Sequence, residues 1–305
     1  MYSVAKPRIA IPATFMGPIN TPRPAIPSEL YRNIIEWVAD TQDLCNLSLT
    51  SRICCTEAQR ILYRVVDLAQ NTRAPVLWAS TILEHPRRAE AVRALTLRFD
   101  LSFLIVPDMM LSPLELISRA LRTLRKLEKL VLVGHPKVMM HPIHSWILDG
   151  CTAHLNVFHN FVFPASSIIP FLSRQPNLRQ WTQMGVFHGE IIRDTLMPQL
   201  TELDVHASAL PCFTTPRPLV RVRLKIDDHG GREKTWERKA IQSLALFGST
   251  LSTLIIEHSS ISNHLAPVEV FGVLIEATPN LKTLVYTLMS NLDEVSSKQR
   301  AHNLV

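Results

Sequence analysis

Leu127-Glu128-Lys129-Leu130-Val131-Leu132 is the clearest copy of a pattern, Leu-x-x-Leu-x-Leu, that recurs along the chain. Close variants begin at Val92 (VRALTL), Leu200 (LTELDV), Leu219 (LVRVRL), Leu251 (LSTLII) and Leu281 (LKTLVY), and weaker ones at Leu155 (LNVFHN) and Leu178 (LRQWTQ). In chain order the starts lie 35, 28, 23, 22, 19, 32 and 30 residues apart. Alternating apolar residues at the end of each copy predict a short strand with one buried face. The intervening segments carry apolar stripes at helical spacing: Leu114, Ile117, Leu121 and Leu124; Ile241, Leu244 and Ala245; Val270, Val273, Leu274 and Ala277. A single strand-plus-helix unit cannot cover its own apolar face, so neighbouring units must stack, which predicts an α/β fold with a parallel sheet lined by helices.

Several copies are introduced alike, by Gln175-Pro176-Asn177, Met197-Pro198-Gln199 and Thr278-Pro279-Asn280. Proline there ends the preceding helix and sets the chain on an extended path. The competing fold, a doubly wound α/β domain, has neither a G-x-G-x-x-G nor a P-loop pattern to support it.

The chain has 305 residues, of which 47% are hydrophobic, enough for a substantial core in one large or two linked domains. It contains no run of about 18 apolar residues, and prolines 7, 12 and 18 break any signal-peptide core, so neither a transmembrane helix nor a secretory signal is expected. Five cysteines without a C-x-x-C pair predict neither a disulfide framework nor a zinc site and fit a reducing compartment, cytoplasmic or nuclear. The net charge of +6 is diffuse: residues 1–100 carry 12 basic and 9 acidic side chains, 101–200 carry 9 and 6, and 201–305 carry 11 and 11. Nucleic-acid binding requires basic residues gathered on one surface and ranks last among the functions considered. The nearest cluster, Arg119, Arg122, Arg125 and Lys126, falls opposite the apolar stripe of one helix and reads as a solvated face.

Ahead of the repeats, residues 26–68 carry three short helical patterns with more apolar side chains than they can bury among themselves. Pro27 and Ser28 open the first helix, and Leu30, Ile34 and Val38 fall on one face with Ile35 beside them. Residues 40–43 form a polar break, Leu44, Leu47 and Leu49 a second apolar segment, and Ser51 caps a third helix that turns Cys54, Ala58, Ile61 and Leu62 inward. A unit this small rarely stabilises itself without a metal, disulfides or a partner. The Pro-rich residues 1–25 read as a disordered leader, and 291–305 as a polar tail after an array spanning 69–290.

The order Pro27-x-Glu29-Leu30, Ile34, Asp43-Leu44, Leu47, Leu49, Ser51-Arg52 and Leu62-Tyr63 resembles an F-box of the fungal type. Followed by irregular leucine-rich repeats, it resembles the F-box and leucine-rich-repeat architecture. The resemblance implies a substrate-receptor subunit of a Skp-cullin-F-box ubiquitin ligase, with the adaptor held by Pro27, Leu30, Ile34, Leu44, Leu47, Leu49 and Leu62. Two departures stand out. Ile53, Cys54 and Cys55 stand where the family often has tryptophan, and His135, Ser208, Asp227, Ser259 and Met289 stand where the repeats usually carry asparagine. The alternative is a repeat scaffold with no role in ubiquitination, whose helices cap the array.

Strand alternation sends the leucines inward and positions three, five and seven to the open face. The candidate target surface is therefore Arg98, Lys129, Gln180, Thr182, Glu202, Asp204, Arg221, Arg223, Lys225 and Glu257, with opposite charges on adjacent strands. Either these charges neutralise one another, or unmatched basic charge grips an acidic or phosphorylated partner. Asp227, Asp228 and His229 before Gly230-Gly231 lie too close in sequence to converge on one metal ion. No catalytic motif occurs, so neither an enzyme nor a cofactor is expected.

Overall fold

The structure, a computed structural model, describes residues 27–71, 73–99, 112–134, 141–185, 187, 191–226, 234–258 and 265–288. The leader and tail expected at residues 1–25 and 291–305, and the Asp227–Gly231 cluster, lie outside the described residues. The chain divides into two compact units, Met1–Ala58 and Gln59–Val305.

The first unit holds α1 (Ser28–Glu36), α2 (Thr41–Ser48) and the start of α3 (Arg52–Leu62). Pro27 takes the N-cap of α1, with φ −52° and ψ 140°, and Ser28 is the first helical residue. Asp40 caps α2: its Oδ1 accepts from the backbone N–H of Gln42 at 2.6 Å and of Asp43 at 3.1 Å. Ser51 Oγ accepts from Cys54 N at 3.2 Å at the start of α3, so both polar breaks satisfy backbone donors that a helix start leaves free. Ile35, Leu44, Cys54 and Ala58 are buried.

The second unit is a nine-stranded parallel sheet in which each strand pairs with the next in sequence. The strands are β1 (Val65–Leu68), β2 (Ala94–Arg98), β3 (Lys129–Val133), β4 (Val157–Asn160), β5 (Gln180–Gln183), β6 (Glu202–His206), β7 (Arg221–Ile226), β8 (Thr253–His258) and β9 (Thr283–Leu288). Strands β2 to β9 each begin two residues into one of the eight Leu-x-x-Leu-x-Leu segments, the weak ones included. One hydrogen-bonding device sets the register at every junction. The carbonyl just before each strand accepts two N–H groups from the following strand's entry: Arg64 O from Arg93 and Ala94, Arg93 O from Glu128 and Lys129, and so on to Ser252 O from Lys282 and Thr283.

Between the strands run α4 (Ala74–Glu84), α5 (Pro86–Ala91), α6 (Pro113–Thr123), α7 (Ala165–Leu172), α8 (Lys234–Gln242) and α9 (Pro267–Ala277). Turns of 3-10 helix at Pro142–Leu148, Ala207–Cys212 and Ser243–Phe247 complete the connections. They pack side by side, α4 on α6, α6 on the turn at 142–148 and that turn on α7; farther along, α8 lies between the turn at 207–212 and α9. The leading residues Val92, Leu127, Leu155, Leu178, Leu200, Leu219 and Leu251 are all buried, as are Leu95, Leu130, Phe158, Trp181, Leu203, Val222 and Leu254 three positions on. Each such side chain contributes about 2 kcal/mol relative to exposure, so this double row is the main force holding the sheet to its helices.

The weak repeats are strands because their polar core residues find partners. Asn160 and Gln183 occupy the inward row where Leu132 and Val205 stand in the neighbouring strands. Asn160 Nδ2 donates to Gln183 Oε1 and to Phe163 O, both at 2.8 Å, while its Oδ1 accepts from the N–H groups of Val162 and Phe163. Gln183 Nε2 donates to Phe163 O at 3.0 Å and Met184 O at 2.7 Å. A buried polar pair with these bonds avoids the cost of unmet desolvation.

Arg217 anchors the shortest connection, between β6 and β7. Only 4% exposed, it donates to the carbonyls of Leu196 at 3.1 Å, Arg193 at 2.7 Å, Thr215 at 3.2 Å and Pro216 at 3.0 Å, and to Thr215 Oγ1. Five backbone and side-chain acceptors thus meet one fork of donors, the geometry a guanidinium suits and an ammonium does not.

Candidate interaction surfaces

Two surfaces carry the residues singled out in the sequence, one in each unit. In the first unit, Leu30, Ile34 and Trp37 follow one another along the same side of α1 at intervals of four and three residues, and they are 48%, 58% and 88% exposed. Leu49, after α2, is 85% exposed. Val38, Asp43, Asn46, Leu47 and Thr50 line an open groove of about 350 Å³. An amphipathic helix of this kind ordinarily turns its apolar side inward. Here the stripe is split: Ile35 on one side is buried, whereas Leu30, Ile34 and Trp37 on the other meet solvent.

Of the residues expected to hold an adaptor, Pro27, Leu30, Ile34 and Leu49 are therefore exposed, Leu47 is half-buried in the groove wall and Leu44 is buried. Leu62, half-buried, falls in the second unit. Trp37 was missed in the sequence, although it continues the spacing that begins at Leu30 and Ile34.

In the second unit, pairing brings positions three, five and seven of successive repeats into rows across the face of the sheet. One row runs Lys129, Val157, Gln180, Glu202, Arg221, Thr253, and the next Val131, His159, Thr182, Asp204, Arg223, Ile255. Between β6 and β8 the charges pair across strands. Arg223 donates to Glu257 Oε1 from Nε at 3.0 Å and from Nη2 at 2.6 Å. Lys225 Nζ lies 3.5 Å from Asp204 Oδ1, an ionic contact at the outer limit of a hydrogen bond. Of the two readings of these charges, mutual neutralisation is the one the geometry realises for these four residues. Arg221, beside Glu202 in register, is exposed.

Other predicted members of the face are placed differently. Arg98 Nη1 donates to Ala69 O at 3.2 Å, which ties its side chain across to the residue after β1. Thr182 is buried, while Lys129, Gln180 and Glu202 are half-buried. His206, at position seven of its repeat, turns inward instead: its ring stacks on Trp236 at 5.6 Å, and its Nδ1 lies 2.8 Å from Ser208 Oγ. The face also includes Val157 and His159, to which the same alternation applies in the weak copy beginning at Leu155. Burial, and then the positive charge of Lys129, hold the His159 imidazole down at about 4, so it is neutral near pH 7.

Among the described residues no group of three or more His, Cys, Asp or Glu side chains is placed to hold a metal ion, and no helix is long and apolar enough to cross a membrane. No family model matches the chain, and no curated protein matches it.

Proposed function

We propose that the chain is a substrate-receptor subunit of a Skp-cullin-F-box-type ubiquitin ligase, with an F-box-like first unit and a leucine-rich-repeat-like array as its second. The observation that carries this reading is the outward stripe of Leu30, Ile34 and Trp37 on α1, joined by exposed Leu49. Leaving four large apolar side chains in water forgoes about 2 kcal/mol each, which a docking partner would recover by covering them. Leu44, being buried, is not available to a partner, so the contact falls to Pro27, Leu30, Ile34, Trp37, Leu47 and Leu49.

The sheet face of the second unit is the surface on which a target would rest. Two pairs on it, Arg223 with Glu257 and Lys225 with Asp204, neutralise each other, whereas Arg221 stays exposed, so a target would meet this face through its shape and through that exposed guanidinium. Ubiquitin transfer belongs to other subunits of such a ligase; this chain supplies proximity by holding two partners on one scaffold.

Co-expression with a Skp-type adaptor and co-purification test the reading. The wild-type chain should co-purify, and combined Leu30→Ala and Trp37→Ala should reduce recovery at least about tenfold, roughly 1.4 kcal/mol of interaction. Both residues are exposed, so the thermal melt should stay unchanged. Wild-type protein that fails to co-purify, or a double variant that co-purifies as well, would leave the repeat-scaffold alternative standing.

A further inference from the structure

The net charge of +6, diffuse when counted by hundreds of residues, is concentrated when counted by structural segment. Residues 59–185, which span β1 to β5 and the helices among them, carry 15 basic and 8 acidic side chains, whereas residues 1–58 carry 5 of each and residues 186–305 carry 12 and 13. The whole excess belongs to the first half of the sheet.

The backbone ladder at the strand entries gathers part of that charge along one edge. Arg93 N donates to Arg64 O at 2.9 Å, Glu128 N to Arg93 O at 2.8 Å, Asn156 N to Glu128 O at 2.8 Å and Arg179 N to Asn156 O at 2.9 Å. These five residues therefore follow one another immediately before β1 to β5. Arg125 and Lys126 come between the end of α6 and the Glu128 rung. Arg93 and Glu128 pair with each other, Nε to Oε1 at 3.5 Å. Among the described residues no ion pair reaches Arg64, Arg125, Lys126 or Arg179, and all four side chains are exposed.

Folding alone does not account for these cations. A basic residue offsets the carbonyl dipoles at a helix C-terminus, as Arg122 does in the last turn of α6. Arg64 and Arg179, however, lie in no helix, and α9 ends ahead of its strand with no basic residue in its last turn. Beyond Arg179 the ladder continues through Thr201, Val220 and Ser252, uncharged residues that make the same backbone bonds. The rungs need no charge to form.

We propose that this edge docks an acidic, extended segment of a partner protein, at the entry ends of the strands rather than on their open face. The proposal holds whether or not the first unit binds an adaptor. From the Arg64 rung to the Arg179 rung is four strand spacings, about 19 Å, which an extended chain of about six residues spans. Guanidinium groups take carboxylates in two-pronged pairs, and three of the four available cations are arginines. Glu128 and the uncharged Asn156 interrupt the row, which suits the separate carboxylates of a peptide better than a phosphate backbone charged at every step.

Fluorescence anisotropy reads this out, with a labelled peptide of about ten residues alternating Glu and Ser, titrated with the full chain at about 50 mM salt. Saturable binding tighter than about 1 mM is expected, weakening as salt is raised to about 300 mM. Arg64→Glu and Arg179→Glu, each at an exposed site, should keep the circular dichroism melt and weaken binding at least about fivefold. Lys282→Glu, on the last rung of the same ladder, changes net charge equally and should leave binding unaltered. A peptide that does not bind, or one that loses as much affinity to Lys282→Glu as to the arginine variants, overturns the proposal. A single-stranded oligothymidylate of about ten nucleotides that binds tighter than the peptide, and responds to the same arginines, would assign the edge to nucleic acid and overturn it equally.

Discussion

Asn160 Nδ2 lies 2.8 Å from Gln183 Oε1 inside the core, in a row where the flanking strands place Leu132 and Val205. Asn160→Leu alone would strand Gln183 Oε1 and the N–H groups of Val162 and Phe163, and should cost about 2–4 kcal/mol. The double substitution Asn160→Leu with Gln183→Val restores the apolar row and should recover part of that loss. Urea unfolding of the two single variants and the double variant measures the coupling; additive losses would contradict the pairing.

His159 gives stability a pH signature. Its folded value of about 4 lies below the ordinary 6.5, so between those limits the unfolded chain binds more protons than the folded one. Stability contributed by neutral His159 is thus complete above about 6.5 and drains away as pH falls toward 4. The amplitude is about 2 kcal/mol after discounting for partial solvent contact. His159→Gln should flatten the stability profile across that window and leave it unchanged at pH 8; an unaltered slope would show that the imidazole does not drive it.

Arg217 is a structural cation. Replacing it by Met removes the donors to the carbonyls of Arg193, Leu196, Thr215 and Pro216, and should cost about 2–4 kcal/mol. Arg217→Lys should recover less than half, because three donors on one nitrogen cannot span acceptors arranged for a planar fork. Equal stability of the lysine variant and the wild type would mean that charge alone suffices.

Gly248 follows the turn Ser243–Phe247, and a Cβ there would come within 2.5 Å of the Ala277 carbonyl oxygen at the end of α9. That neighbour is backbone and cannot rotate aside. Gly248→Ala should therefore lower stability by about 1–3 kcal/mol, the range for overpacking a tight site. Gly272→Ala, with open space around it, should raise stability or leave it unaltered. The contrast between the two glycines in thermal melts is the check.

The sequence by itself determined the strands from β2 to β9, the rows of leucine-type residues they turn inward, and the apolar stripes of α6 and α9. Period-two and helical spacings are local consequences of backbone geometry, as Leu127 to Leu132 makes plain, and even the weak copies at Leu155 and Leu178 kept enough of the pattern to place β4 and β5. Tertiary structure alone decided which side chains remain available to a partner. Spacing put Leu30, Ile34 and Leu44 in one class, yet packing exposes the first two and buries the third. Packing likewise joins Arg223 to Glu257, folds His206 against Trp236 and pairs Asn160 with Gln183. Availability and partnership depend on contacts between residues far apart in the chain, and no local period records them.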